Sequence, residues 1–314
     1  MAAPQLIVVS PHGSGTPLLT EATTALGYTP CGTMSGAKGP SGAWRPGPGE
    51  VHPLLTAAYG PDRAALLLRR QGGEGDNLET AFQEAVSALW RVWWMRLGQP
   101  VTLASPVDPG LEGRLARVPD SELPGLLPGR GCWYVTSLEL RRADGGFLRA
   151  WQATGNPPVI FHHRDPRDRI ISQIRLLSQP AGQVGSLPEH LVYRDIISAL
   201  PTMDARITFA LTDPGFPGTA EARHCQWLAH HPAVTVITHE DLAGPAHGGS
   251  AEARQRALAR LRETTGHAAP AVELPAPSAA ASEGDDLTVG AWRAHFTPAH
   301  ERLLSRYHGD LLAV

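Results

Sequence analysis

Residues 6–19 read Leu6-Ile7-Val8-Val9-Ser10-Pro11-His12-Gly13-Ser14-Gly15-Thr16-Pro17-Leu18-Leu19. The apolar run Leu6 to Val9, bounded by Pro4 and by the Pro11-His12-Gly13 turn, predicts a short buried strand. Leu18, Leu19, Ala22, Ala25 and Leu26 then recur at helical spacing and stop at Gly27, so a helix follows at once. Strand, glycine-rich turn and helix in immediate succession are the opening of an α/β fold. The turn itself is a candidate anion cradle. Its small residues let backbone N–H groups point inward, the helix start adds partial positive charge, and the Ser14 and Thr16 hydroxyls are further donors.

Working outward, Trp133 to Ser137, Val159 to His163, residues 206–211 and Val234 to Thr238 are further strand candidates. Asp76 to Leu97 predicts the longest helix, with Asp76 as cap, Glu79 three residues on, and Leu78, Phe82, Val86, Leu89, Trp93 and Leu97 along one face. Asp165 to Leu177 predicts a second helix, capped by Asp165, with Pro166 at its first position and Asp168 at its third. Gln255 to Thr265 and Thr297 to Leu312 complete the helices. Residues 30–62 and 101–131 are dense in glycine or proline and read as irregular loops; 268–286 is an Ala/Pro/Ser-rich flexible segment. Alternation of buried strands with helices predicts a single domain over 1–314, a P-loop-like three-layer fold with a central, mostly parallel sheet flanked by helices.

Composition narrows the function. The chain has 314 residues, 18% charged and 42% hydrophobic, ordinary for a soluble enzyme, and its formal charge of −3 argues against nucleic acid or anionic membrane as a partner. Three widely spaced cysteines form neither a metal motif nor a disulfide framework. There is neither a signal-type start nor an apolar run of about 18 residues, so the cytoplasm is the expected compartment. An ATP-binding P-loop requires a lysine before its Ser or Thr. The one lysine is Lys38, beyond the turn, which disfavours an ATP-dependent kinase.

A second constellation is Arg164-Asp165-Pro166-Arg167-Asp168 followed by Ser172. Arg164 stands where a strand ends, at the sheet edge where open α/β folds bind ligands. An arginine fork and a hydroxyl together suit a phosphate dianion. Capping and surface ion pairs account for Asp165, Pro166 and Asp168 but less well for Arg164.

Together these segments resemble the PAPS-dependent sulfotransferase family. Ser14-Gly15-Thr16 is similar to that family's 5′-phosphosulfate loop, Pro-Lys-Ser-Gly-Thr-Thr. Arg164 to Ser172 matches its 3′-phosphate motif, Arg-x-Pro-Arg-Asp-x-x-x-Ser, at every position. His239-Glu240-Asp241-Leu242 resembles its Tyr-Glu-Asp-Leu segment, and Gly290 to Thr297 resembles its late Gly-x-Trp-Lys-x-x-Phe-Thr segment. The resemblance implies transfer of the sulfuryl group of PAPS to a hydroxyl or amine of a small-molecule acceptor, leaving 3′,5′-ADP and requiring no metal. It implies that loop residues Gly13, Ser14, Gly15, Thr16 and Pro17 meet the phosphosulfate, and that Arg164, Ser172 and Arg293 meet the 3′-phosphate end. Several positions depart from the pattern. The family's loop lysine falls on Gly13, its second threonine on Pro17, its histidine base on Ser137 and its late basic pair on Asp285-Asp286. His12 and Glu139 are therefore the candidate catalytic side chains. A non-catalytic nucleotide-binding or interaction member of the same fold is the alternative. The arginine-rich composition suggests a high-GC genome and, by association, bacterial specialised metabolism. Oligomeric state and acceptor identity are not legible.

Overall fold

A computed structural model describes residues 5–31, 48–69, 77–99, 101, 108–127, 129–184, 187–266 and 287–312. Strands β1 (Leu6–Val9), β2 (Thr29–Cys31), β3 (Gly131–Val135), β4 (Val159–His163) and β5 (Val234–Thr238) form one sheet in the order β2-β3-β1-β4-β5. All five run parallel, and helices flank the sheet, giving the P-loop-like α/β class expected. The central place of β1 explains its composition. All four of its residues are fully buried, as a parallel strand covered on both faces must be. Helix α1 (Thr16–Ala25) leaves the end of β1 through the glycine turn. The chain goes to one side of β1 after leaving it and to the other side after β3. Ligand crevices of open α/β sheets form beside such a reversal, at the carboxyl ends of the strands.

The chain divides into two compact units. The first comprises Met1–Ile7, Gly27–Tyr134 and Arg141–Pro157. It contains α2 (Pro48–Tyr59), α3 (Pro61–Arg69), α4 (Asn77–Arg96), α5 (Pro109–Leu115) and α6 (Gly145–Ala153). Trp93 is fully buried at its centre, with ring centroids of Trp133, Trp94 and Trp151 at 5.6, 6.1 and 6.4 Å. Two expectations are corrected here. Residues 48–59 and 61–69 are helical, where 30–62 was read as a loop. Pro109–Leu115 is helical inside 101–131, started by Asp108, whose side chain accepts from Gly110 N at 2.7 Å. Proline is compatible with a helix's first turn, so Pro48, Pro61 and Pro109 begin these helices rather than interrupt them. The expected cap Asp76 lies outside the described residues, as does 268–286.

The second unit comprises Val8–Leu26, Val135–Leu140 and Pro158–Val314. Its helices are α7 (Pro166–Leu177), α8 (Ala181–Val184), α9 (Pro188–Ala199), α10 (Met203–Thr212), α11 (Thr219–Cys225), α12 (His239–Ala243), α13 (Ala251–Thr265) and α14 (Pro298–His308). α7 packs its Ile170, Ile171 and Ile174 on Ile207 and Leu211 of α10 in one apolar cluster. Residues 206–211 are thus helical and not the strand expected. Thr202 caps α10 by accepting from Ala205 N at 3.1 Å, and Ile207, Ala210 and Leu211 bury one helical face. The short apolar run looked like a strand because periodicity over six residues does not separate the two. α13 begins at Ala251, four residues before the expected start, because Ser250 caps it.

Candidate anion-binding site

The turn that follows β1 and the segments that meet it all belong to the second unit. The turn after β1 is tight. Gly13 and Gly15 have φ of +80° and +77°, in the left-handed region that glycine adopts without strain. The turn is also closely covered. A Cβ on Gly15 would lie 2.1 Å from His239 Nδ1, and one on Gly13 would lie 2.8 Å from Arg169 Cγ. No side chain caps the start of α1, and Pro17 occupies its first turn. Ser14 Oγ is buried and has no hydrogen-bond partner among the described residues. Leaving a buried hydroxyl unpaired costs about 1–3 kcal/mol, so the turn carries a donor that a bound group would satisfy. Thr16 Oγ1 is committed differently. It lies 2.8 Å from Ser10 Oγ, which in turn lies 3.1 Å from His162 Nδ1 on β4.

Arg164 lies one residue past β4 and is buried; its Nη2 donates to Thr288 O at 3.0 Å. Ser172 is buried two turns into α7. Asp165 caps that helix by accepting from Arg167 N at 2.8 Å, and its own N–H donates to Glu240 Oε1 at 2.9 Å. Asp168 is used in a way the capping pattern did not indicate. It accepts from Gly290 N at 2.6 Å and Trp292 N at 2.9 Å. Arg167 completes this junction, paired with Asp165 and stacked 3.7 Å from the Trp292 ring centroid. His239 donates from Nε2 to Leu287 O at 2.8 Å, and burial, with Arg164 nearby, lowers its pKa to about 3. The ring is therefore neutral, protonated on Nε2.

The four segments singled out in the sequence are thus physically joined. The turn touches His239, Glu240 holds Asp165, Asp168 holds the turn at 290–292, and Arg164 and His239 hold residues 288 and 287. Arg293 is in that last turn, exposed, 5.0 Å from the Trp292 ring centroid. Asp285 and Asp286 lie outside the described residues.

The two candidate catalytic side chains are both tied to α11. His12 is buried, and its Nδ1 lies 2.7 and 2.8 Å from the two carboxylate oxygens of Glu221; its backbone N–H donates to the same carboxylate at 3.2 Å. Gly218 makes this approach feasible. At φ +84° it brings the start of α11 against the turn, where a Cβ would be 2.9 Å from His12 O. Glu139, also buried, lies 3.6 Å from Nδ1 of His224 on the same helix. Burial lowers the His12 pKa, but the charge and hydrogen bond of Glu221 outweigh it and raise the net value above the ordinary histidine range. The pKa of Glu221 is depressed; burial opposes this, and His12 and Arg169 overcome it.

Sequence reasoning missed Glu221 and Arg169. Glu221 is 209 residues from His12, and only the glycine before a short helix hints that α11 packs closely on something. Arg169 falls on an unspecified position of the Arg164–Ser172 motif.

The fold is that of an α/β protein whose first strand–helix turn, at the carboxyl end of β1, holds a buried hydroxyl without a partner among the described residues. No family model and no curated protein matches the chain. Among solved structures, it is similar to a crystal structure of retinol dehydratase in complex with androsterone and inactive cofactor PAP. The match has 14% identity and a TM-score of 0.41, covering 99% of this chain and 81% of that one. Among the described residues no helix is long and apolar enough to cross a membrane, and no cluster of His, Cys, Asp or Glu is arranged to hold a metal ion.

Proposed function

We propose that this chain is a sulfotransferase that moves the sulfuryl group of PAPS onto a hydroxyl or amine of a small-molecule acceptor. The convergence of four sequence-distant segments on one sheet edge carries the proposal, because capping and core packing do not require them to meet. In this assignment Ser14, Gly15 and Thr16 hold the 5′-phosphosulfate, with Gly13 and Pro17 shaping the loop. Arg164 and Ser172 hold the 3′-phosphate, and Arg293 contributes from the turn that Asp168 secures. The donor supplies an activated sulfuryl group. The chain's residues orient it, spread its charge over hydrogen bonds and receive the acceptor's proton, work that is chiefly positional and electrostatic. His12 and Glu139 are the catalytic side chains.

Calorimetric titration with 3′,5′-ADP, with 5′-AMP and ATP·Mg²⁺ as controls, tests the assignment. Micromolar binding of 3′,5′-ADP that weakens by about 2 kcal/mol in Arg164→Ala is the expected outcome. Absence of binding, or preference for ATP·Mg²⁺, overturns it.

One observation favours a non-catalytic member of the fold. Gly13 stands where the resembling family has its lysine, and its φ and its contact with Arg169 leave no room there for a long side chain. Binding of 3′,5′-ADP without transfer to any of a panel of alcohols and amines would support that alternative.

A further inference from the structure

Two buried polar atoms in the turn lack partners among the described residues: Ser14 Oγ and His12 Nε2. They are two residues apart on either side of Gly13. The other ring nitrogen of His12 is fully engaged, because both oxygens of the Glu221 carboxylate lie within 2.8 Å of Nδ1. A carboxylate in that position fixes a proton on Nδ1 and stabilises positive charge on the ring. Both orphaned atoms are then explained by one ligand. A hydroxyl and a ring N–H, both buried in the turn that leads into α1, are donors suited to an anion.

We infer that Glu221 is a positioning residue that holds His12 as an imidazolium, whose Nε2–H is the cationic donor to the anion bound in the turn. This rests on the proposed function for the identity of the anion, but not for the state of the ring. His12 supplies the cation in this turn, from the residue before Gly13. In the transfer, the S–O bond to the donor phosphate breaks with its electron pair left on the phosphate oxygen. A new bond joins sulfur to the acceptor atom, and the acceptor's proton passes to a carboxylate such as Glu139. His12 keeps its proton and lends charge and one hydrogen bond.

The groups around the ring agree with this assignment. From α11 it faces Glu221, and from α9 it faces Glu189 and His190, the latter edge-on with ring centroids 5.0 Å apart. From α7, Arg169 lies nearby and interacts with Glu221. Burial and the charge on His12 lower His190 to about 4, so it stays neutral and does not compete for the proton. Glu189 adds a further favourable charge to His12. Arg169 acts electrostatically on Glu221 and, with His12, keeps that carboxylate ionised.

The test is a ¹³C/¹⁵N NMR titration of the His12 ring in the full-length, ligand-free protein, assigned by comparison with His12→Gln. Wild type is expected to titrate above the ordinary histidine range, Glu221→Gln to titrate lower, and added sulfate to move the wild-type midpoint upward. A His12 that is neutral near pH 6.5 in wild type, or a midpoint unmoved by sulfate, overturns the inference. Binding provides a second readout. His12→Gln is expected to lose about tenfold in 3′,5′-ADP affinity and His12→Lys to recover most of it, because the lost bond is charge-assisted. If His12→Gln and wild type bind equally, the inference fails. If neither binds the nucleotide, the sulfotransferase proposal fails, while the ring titration with sulfate still decides the role of Glu221.

Discussion

Asp168, in the first turn of α7, accepts hydrogen bonds from the backbone N–H groups of Gly290 and Trp292. A carboxylate that ordinary capping would have turned on its own helix instead holds a turn more than 120 residues away. Asp168→Ala orphans both N–H groups. We expect a loss of about 1–3 kcal/mol in urea unfolding, together with weaker 3′,5′-ADP binding through the displaced turn.

Ser14→Ala separates stability from function. The hydroxyl is buried without a partner among the described residues, so its removal should leave the fold unharmed or stabilise it by up to about 1 kcal/mol. Affinity for 3′,5′-ADP should fall in the same variant. Parallel thermal melts and titrations check this, and a destabilised variant would show that the hydroxyl already has a structural partner.

Gly15→Ala does the reverse. The added methyl would sit at φ +77° and 2.1 Å from His239 Nδ1, so both the turn and the ring must move. A loss of about 1–3 kcal/mol is expected, with anion binding abolished.

Stability should fall in acid for a definable reason. Burial lowers His239 to about 3, and His163 and His190 to about 4. Below pH 6.5 the unfolded chain takes up protons that the folded chain refuses. Each of the three then removes about 1.4 kcal/mol per pH unit until its folded value is reached. His12 acts oppositely, since its raised pKa stabilises the fold below pH 6.5 and that contribution disappears as pH rises through it. Urea midpoints at about pH 7, 6 and 5 should decline in that order; a flat series would show that these rings are solvated.

In the first unit, Trp93→Ala removes a fully buried indole packed against three others. It should cost about 3–5 kcal/mol and flatten the near-ultraviolet circular dichroism.

Local pattern revealed much of this fold. β1, β4 and β5 have the bounds read from the sequence, because each contains a short run of β-branched or aromatic residues with a clear break at its end. α7 was legible from Asp165 and Pro166, which act locally. Residues 48–69 were not, since their helices open on prolines that read as loop punctuation. The segments that meet at the carboxyl edge were legible because each is a contiguous motif. Glu221 was not, because its role depends on a glycine-enabled approach between segments about 200 residues apart, and no local spacing encodes that.

The position of β1 also constrains the order of assembly. Of the five strands, the one earliest in the sequence occupies the middle of the sheet, and its two neighbours are residues 131–135 and 159–163. One edge of that strand therefore waits for residues 131–135 and the other for residues 159–163 before it is paired. Such separations raise contact order and slow folding, and they leave an apolar strand unprotected while synthesis continues. The turn after β1 also gains its covering groups late, since Arg169 of α7 lies against Gly13 and Glu221 of α11 binds His12. The residues that would meet a ligand first in sequence are among the last to take their final shape.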